Sequence, residues 1–408
     1  MERYREYKDS GVEWIGKIPN SWALQRINNV FTERTEKVSD LDYEPLSVTK
    51  NGIFPQLENV AKSDNHDNRK LVKYGDFVIN SRSDRRGSSG MSNLDGSVSV
   101  INIVITPKNT IKPKYSELLF KSYEFINEYY RNGRGIVADL WSTRYELMKN
   151  ISICLPPLKE QEQIVAYLDD KTAKIDDLLA KTTSKIALLK EKRTALINHC
   201  VTKGLNPNAP MKDSGVEWIG EIPSGWELVR LNVLGEFSKG KGITKEKIKE
   251  KGYQCIRNGE IYTTYNRISN EIISFIDENT TKESVTVKKG TLLFTGDGET
   301  KEEIGKCLLY NGNETLYVGG GINIFTITSA KVEATYLSFL MNSESVVYQK
   351  SRDGKGEIVV HIYSKQLREI KFGLPPIEEQ AQIVDFLDKQ TSIIDTTISK
   401  EQKRIELL

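Results

Sequence analysis

The chain has 408 residues, too many for one ordinary domain, and 38% of them are apolar, enough for two or three separate cores. Fifty-eight Lys and Arg against 56 Asp and Glu leave a net charge of +2, which excludes a whole-molecule basic field; a nucleic-acid partner would have to be held by local clusters. No run of about eighteen apolar residues occurs and the opening MERYREYKDS lacks an apolar signal core, so a cytoplasmic protein without a membrane-spanning helix is expected.

Residues 8–22 read KDSGVEWIGKIPNSW, and the phrase returns at 212–226 as KDSGVEWIGEIPSGW, with 12 of 15 positions identical. Repeats so far apart mark whole domains rather than solenoid units of some 20–50 residues. Trp14, Trp22, Trp218 and Trp226 read either as anchors that fix each globule to the end of a helix or as plain core packing.

The stretch that follows the first copy, residues 23–150, has no counterpart in 227–370 by direct comparison. Its apolar runs bounded by turn residues predict strands at 76–80, 97–106 and 150–155, and SELLFKSYEFINEYYR predicts one helix over 116–131. Between them NSRSDRRGSSG (80–90) is a polar, glycine-bearing loop. Arg82, Arg85 and Arg86 can hold phosphates or guanine edges, and Asn80, Ser81, Ser83 and Ser88 add hydrogen-bonding groups; an ordinary solvated loop is the alternative. NGRGIVADLWSTR (132–144) adds Arg134 and Arg144 as backbone-contact candidates, against a plain hairpin turn.

A second repeat begins with a double proline. LPPLKEQEQIVAYLDDKTAKID at 155–176 returns as LPPIEEQAQIVDFLDKQTSIID at 374–395, with 13 of 22 positions identical. Proline is tolerated at a helix entry, and Glu160, Glu162, Glu378 and Glu379 put negative charge where the helix dipole favours it. Apolar positions then recur at intervals of three and four: Val165, Leu168, Thr172, Ile175, Leu179, Thr182, Ile186, Leu189 and Leu196, and again Val384, Leu387, Thr391, Ile394, Ile398, Ile405 and Leu408. A helix from about 159 to about 201, stopping before Gly204 and Pro207, would be on the order of 60 Å long at ~1.5 Å per residue. Such a helix needs its seam covered. Antiparallel pairing with the other copy does that; packing on its own globule is the alternative. Leu408 aligns with Leu189, so the second helix is the shorter as given.

The second variable stretch predicts strands at 291–296, 315–320, 322–327 and 369–374 and one helix over 334–351. Both stretches share an order, a Lys-x-Gly turn into a strand followed by a polar loop, here TGDGETKEEIG at 295–305. Thr295, Asp297, Glu299 and Lys301 lie on that loop; its carboxylates suit phosphates poorly but can accept from cytosine amino groups. Better basic candidates are Lys239 and Lys241 in SKGKGIT, Arg257 with Asn258 in CIRNGEIYTTYN, and Lys355 in the loop 352–365.

Motifs for chemistry are missing. There is no GxxxxGK[ST] loop, GGGIN lacks both the lysine and the dinucleotide spacing, and no NPPY- or DPPY-like tetrapeptide occurs. Cys154, Cys200, Cys255 and Cys307 show no ligand spacing, and His66, His199 and His361 accompany no nucleophile; no metal or catalytic site is expected.

The doubled SGVEWIGxIPxxW and LPPxxEQxxIVxxLD phrases, with the strand-and-polar-loop middles, resemble the specificity subunit of type I restriction-modification systems. The resemblance covers nearly the whole chain. It implies an α+β chain of two α/β target recognition globules separated by a pair of long antiparallel coiled-coil helices, with a pseudo-twofold internal repeat. The expected divisions are 1–157, 158–205, 206–374 and 375–408. It further implies a non-catalytic chain reading a bipartite double-stranded DNA site, one half per globule, and docking two methyltransferase subunits with motor-nuclease subunits. S-adenosylmethionine, ATP and Mg would belong to those partners. A bivalent coiled-coil adaptor presenting two protein-binding globules is the main rival, which near-neutral charge favours and the arginine loop opposes; an autonomous methyltransferase or nuclease is the second.

Overall fold

A computed structural model describes residues 4–56, 66–136, 141–356 and 359–408. Contacts divide the chain into two units, Met1–Asp177 and Leu178–Leu408, with the boundary inside the first long helix.

The repeated phrases meet within each unit, which explains why they repeat together. In the first unit the strand Ala23–Arg26, just after the opening phrase, pairs antiparallel with Ser152–Leu155, the strand that runs into the double proline. In the second, Glu227–Arg230 pairs with Lys371–Leu374 in the same way. The first turn of each long helix adds two side-chain locks. Trp22 Nε1 donates to Glu160 Oε1 (3.0 Å) and Trp226 Nε1 to Glu379 Oε2 (3.0 Å). Beside each glutamate sits a buried glutamine. Gln161 accepts from Lys112 N and donates to the carbonyls of Thr110 and Pro156. Gln380 accepts from Glu333 N (2.9 Å) and donates to those of Lys331 and Pro375 (2.8 Å each). Thus Glu160 and Glu379 bond indoles as well as sitting at a favourable dipole end. Gln380→Leu keeps the volume and strips three bonds at a site with 0% exposure. It should cost about 2 kcal/mol, read as a fall in the denaturant midpoint of the second unit with an unchanged slope.

The tryptophans divide. Trp22 and Trp226 tie a globule to a helix start, whereas Trp14 packs edge-on against Phe125 and Trp218 carries Arg352 over its ring (4.3 Å). Those two belong to their globules.

The first globule has a four-stranded antiparallel sheet in the order Ser89–Met91, Phe77–Asn80, Asn102–Pro107, Phe31–Glu33. Gly96–Ser99, Arg69–Val72 and Lys37–Val38 form a second sheet. The second globule repeats the plan with five strands in each of two sheets. Gly235–Lys239, Ile322–Ile327, Thr291–Thr295, Cys307–Tyr310 and Ile268–Ser269 make the sheet that corresponds to the first globule's four-stranded one.

Three expected elements are split. Residues 97–106 form two strands in different sheets, Gly96–Ser99 and Asn102–Pro107, with a turn at 100–101. The helix over 116–131 is two, Pro113–Lys121 and Tyr123–Arg131. Ser122 breaks it: its backbone is extended and its hydroxyl caps the second helix by accepting from Phe125 N. The helix over 334–351 is likewise Ala334–Met341 and Glu344–Asp353. Asn342 stands at that break, its amide bonded to both Cys307 N and Cys307 O.

The first long helix runs Leu158–Lys203 and stops at Gly204, whose φ of +78° is the left-handed end that glycine adopts without strain. The second runs Ile377–Glu406. Within the second unit they are antiparallel: Lys185 bonds Glu401 (2.5 Å) and, further along, Arg193 bonds Asp395 (3.0 Å). Within the second unit the packed faces carry residues of the expected spacing. Leu387, Thr391, Ile394 and Ile398 are buried on the second helix, and Leu179, Ile186 and Leu189 half-buried on the first. Ile405 is half-buried and Leu408 exposed, and the second helix adds Ile383 and the Lys185-paired Glu401 to its buried face. In the first unit, Ile164 and Val165 pack on the globule's core, Leu168 is half-buried, and Thr172 and Ile175 are exposed. The second helix also packs on its own globule through Ile383 and Leu387, and the end of the first helix joins the same core through Cys200 and Val201. All four cysteines are free, and burial pushes the Cys255 and Cys307 thiols up to about 12. No described helix is long and apolar enough to cross a membrane.

Candidate nucleic-acid interface

In the first globule the strand Phe77–Asn80 is buried through Ile79 and delivers Asn80 at its end. Asn80 Oδ1 accepts from Arg82 N (3.0 Å) and Asn80 N donates to Ser88 O (2.9 Å), so the loop is closed on itself. A segment from the distant loop 132–144 runs alongside. Thr143 N donates to Ser81 O (2.9 Å) and Ser83 N to Trp141 O (3.0 Å), while Ser142 exchanges two 3.0 Å bonds with Arg134. Ser142 is thereby bridged to Arg82 on one side and Arg134 on the other. Thr143 and Tyr129 bond each other twice and fix the segment to the helix Tyr123–Arg131. Arg82, Arg134 and Arg144 are exposed around this ladder. A cleft of about 520 Å³ beside it is lined by Arg82, Arg144, Ser81, Ser142 and Lys70, with Glu33 and Glu146. Residues 137–140 of the loop lie outside the described residues.

Other candidates of that loop have different surroundings. Arg86 folds back over the Tyr130 ring (4.6 Å) and bonds Asn127. Arg85 is exposed beside Asp84 (3.5 Å). Ser88 is buried, its backbone closing the hairpin. Ser83 begins a short 3-10 turn.

The second globule builds the same ladder from different side chains. The strand Thr291–Thr295 is buried throughout, and Gly296 follows. A Cβ there would lie 2.6 Å from Gly321 O, so only glycine allows the close approach. Ile362 N donates to Gly296 O (2.8 Å), and His361 exchanges bonds of 2.7 and 3.0 Å with Lys355. His361 is bridged to Asp297 on one side and Lys355 on the other. Position by position, Asp297 stands where Arg82 does, His361 where Ser142 does, and Lys355 where Arg134 does. Arg144 and Tyr363 also correspond, each at the N-terminal cap of a short helix, Tyr145–Met148 and Ser364–Arg368. Residues 357–358 lie outside the described residues.

Asp297 Oδ1 bonds His361 Nδ1 at 2.6 Å, both side chains remaining about two-fifths exposed. Asn258 Nδ2 (3.3 Å) and Tyr262 Oη (2.9 Å) donate to the Asp297 carbonyl, and Tyr262 also bonds Thr295 Oγ1 (2.6 Å). Burial raises the Tyr262 hydroxyl above its usual range, so it stays a hydrogen-bond donor. His361 stacks on Tyr363, and Lys239 Nζ lies 5.5 Å from the Tyr363 ring centre. The neighbouring cleft, about 680 Å³, is lined by Asn258, Tyr262, Asp297 and Glu299, with Lys306 and Lys350. The structure therefore gathers Lys239, Asn258, Asp297, Glu299 and Lys355 of the expected set, whereas Thr295 is buried against Tyr262 and presents no surface to a duplex. Lys241 and Lys301 are exposed outside this cluster's bonds, and Arg257 is half-buried against Glu260 (3.4 Å). Lys70, Ser142, Tyr262, His361 and Tyr363 were missed by sequence reasoning. Setting LWSTR (140–144) beside VHIYS (360–364) by their common place before the second phrase would have found Ser142, His361 and Tyr363.

The family model for the type I restriction modification DNA specificity domain (Methylase_S) matches residues 19–188 and again 223–407. The chain belongs to this specificity family. Both matches begin within the last four residues of a repeated opening phrase and run into a long helix, so the family's unit is the one duplicated here. Among curated proteins of Methanocaldococcus jannaschii, the chain is 27% identical to the type I restriction enzyme MjaVIII specificity subunit over 64% of its length and 60% of that protein's. It is 23% identical to a putative MjaX specificity subunit over 100% of its length and 95% of the other's. The fold matches the crystal structure of the HsdS subunit from Thermoanaerobacter tengcongensis with a TM-score of 0.63 at 16% identity, covering 97% of this chain and 93% of that one. A chain from a structural study of complex assembly and conformational transition in the type I R-M system matches with a TM-score of 0.70 at 16% identity, over 95% and 94%.

Proposed function

We propose that this specificity-family chain is the non-catalytic DNA-reading subunit of a cytoplasmic type I restriction-modification complex. Each globule reads one half of a bipartite, asymmetric duplex site. The ladder around Ser142 serves one half and the ladder around His361 the other. The repeated long helices act as spacer and as docking surface for two methyltransferase subunits, with motor-nuclease subunits completing the complex. S-adenosylmethionine, ATP and Mg belong to those partners. One observation carries this reading: two backbone ladders of the same register hold unlike side chains at equivalent positions, as two readers of unlike half-sites require.

Electrostatics supports it locally. Arg82, Arg134 and Arg144 gather on one exposed ladder although the whole chain is nearly neutral. Such a cluster supplies phosphate contacts and forked donors to base edges. The full chain with its partner subunits should bind cognate duplex with an affinity that falls steeply with salt. Arg82→Ala should weaken that binding by about tenfold or more, with the base preference lost in one half-site only. Binding indifferent to salt, or equal losses on duplexes altered in either half, would favour a protein-binding adaptor.

A further inference from the structure

Arg82 and Asp297 occupy the same place in their ladders, as the direct cross-strand partners of Ser142 and of His361. We propose that the two half-sites therefore present opposite hydrogen-bonding edges at this place: guanine to Arg82, and a base with an exocyclic amino group, cytosine or adenine, to the Asp297–His361 pair. The inference rests on the reading that the globules bind duplex DNA.

A guanidinium has donors and no acceptor, and in the major groove guanine offers two adjacent acceptors, N7 and O6. The second globule inverts this pattern. A carboxylate only accepts, so the 2.6 Å contact from His361 Nδ1 to Asp297 Oδ1 places a hydrogen on Nδ1. Asp297 Oδ2 then remains as an acceptor, and in the neutral ring His361 Nε2 is a second. Guanine and thymine present only acceptors in the major groove and are refused by such a face; the amino groups of cytosine N4 and adenine N6 donate to it. A protonated ring would donate from Nε2 beside the accepting carboxylate, which fits adenine N7 and N6 together. In both states Asp297 demands an amino group.

The pair is held for this task. Tyr262 and Asn258 fix the Asp297 carbonyl, Tyr363 stacks on the imidazole, and Lys239 stands over Tyr363 where a backbone phosphate would be welcome. Asp297 and His361 keep about two-fifths of their side-chain surface open, enough for a base edge to reach them.

The test uses the full chain with its partner subunits and selects duplexes from a pool randomised in both half-sites. One position of the second half should be fixed to a single base pair, whose cytosine or adenine carries the amino group that Asp297 accepts from. Asp297→Asn, nearly isosteric, adds a donor and should lower discrimination at that single position by about tenfold or more. Preference in the other half should stay as it was, which also shows that the variant is folded. Removing only the amino group, with 2-pyrimidinone for cytosine or unsubstituted purine for adenine, should weaken the unaltered protein about tenfold and the variant far less; the analogue that responds identifies the base. An Asp297→Asn selection identical to that of the unaltered protein, or unaltered protein whose binding neither analogue weakens at the position that changes, overturns this inference and leaves the DNA-reading assignment standing. Failure of the unaltered protein to bind any duplex in a salt-dependent way overturns both.

Discussion

Trp226→Ala is expected to destabilise the second unit by about 3–5 kcal/mol. The indole is 1% exposed and is the largest side chain buried so completely. It lies between two glycines: a Cβ on Gly373 would come 3.0 Å from Trp226 Cε3, and one on Gly204 3.4 Å from Trp226 Cζ2. Its removal opens a cavity among Cys200, Val201 and Ile222 and leaves the Glu379 carboxylate without its indole donor. Trp226→Phe should cost less, about 2–3 kcal/mol, since the six-membered ring remains while the N–H and the second ring of the indole are lost. Trp22→Ala should cost less than Trp226→Ala despite the shared motif. Trp22 is only half-buried, Cys154 stands where the second copy has Gly373, and Tyr4 also donates to Glu160. Urea unfolding of the three variants checks the order; equal losses at Trp22 and Trp226 would show that burial does not set it.

Lys350→Met is expected to flatten the pH dependence of the second unit's stability. The Lys350 side chain is 1% exposed, and its amine donates to the carbonyls of Gly305 (2.7 Å) and Met341 (2.8 Å). Burial lowers its pKa to about 8, from an ordinary value near 10.5. Below about pH 8 both folded and unfolded chains hold the proton, and the fold bears the cost of a buried ammonium. Between about pH 8 and about pH 10.5 the unfolded chain binds more protons, so stability rises with pH. Across that window Lys350 should add up to roughly 3 kcal/mol that Lys350→Met does not gain. Unfolding both proteins over the same pH series gives the difference; a constant gap would mean that Lys350 stays charged when folded.

Much of this was legible because local and tertiary signals agree at the repeats. The spacing of Leu179, Ile186, Leu189, Leu387, Ile394 and Ile398 gave the seam, and Gly204 gave the end of the first long helix within about two residues of the expectation. The single helices over 116–131 and 334–351 failed because the apolar period runs through Ser122 and Asn342. Those residues break the helix with side-chain bonds, and in the case of Asn342 the partner, Cys307, is 35 residues away. At the candidate interface the polar loops stood out by composition. Their backbone partners did not, because Ser142 and His361 lie about sixty residues from Arg82 and Asp297 and are ordinary surface residues until the ladder forms. Arg257 illustrates the reverse: a basic residue in a glycine-bearing loop reads as a phosphate contact, yet Glu260, three residues on, already pairs with it.

The junction around Trp226 also constrains when this protein can mature. Leu196, Ile197, Cys200 and Val201 share one core with Ile383 and Leu387, segments separated by most of the second unit's length. A ribosome adding ~5–20 residues per second needs roughly 10–40 s to travel between them. During that interval the unfinished end of the first long helix shows its apolar face to the cell. Chaperone demand and premature degradation should therefore concentrate on the later half of synthesis.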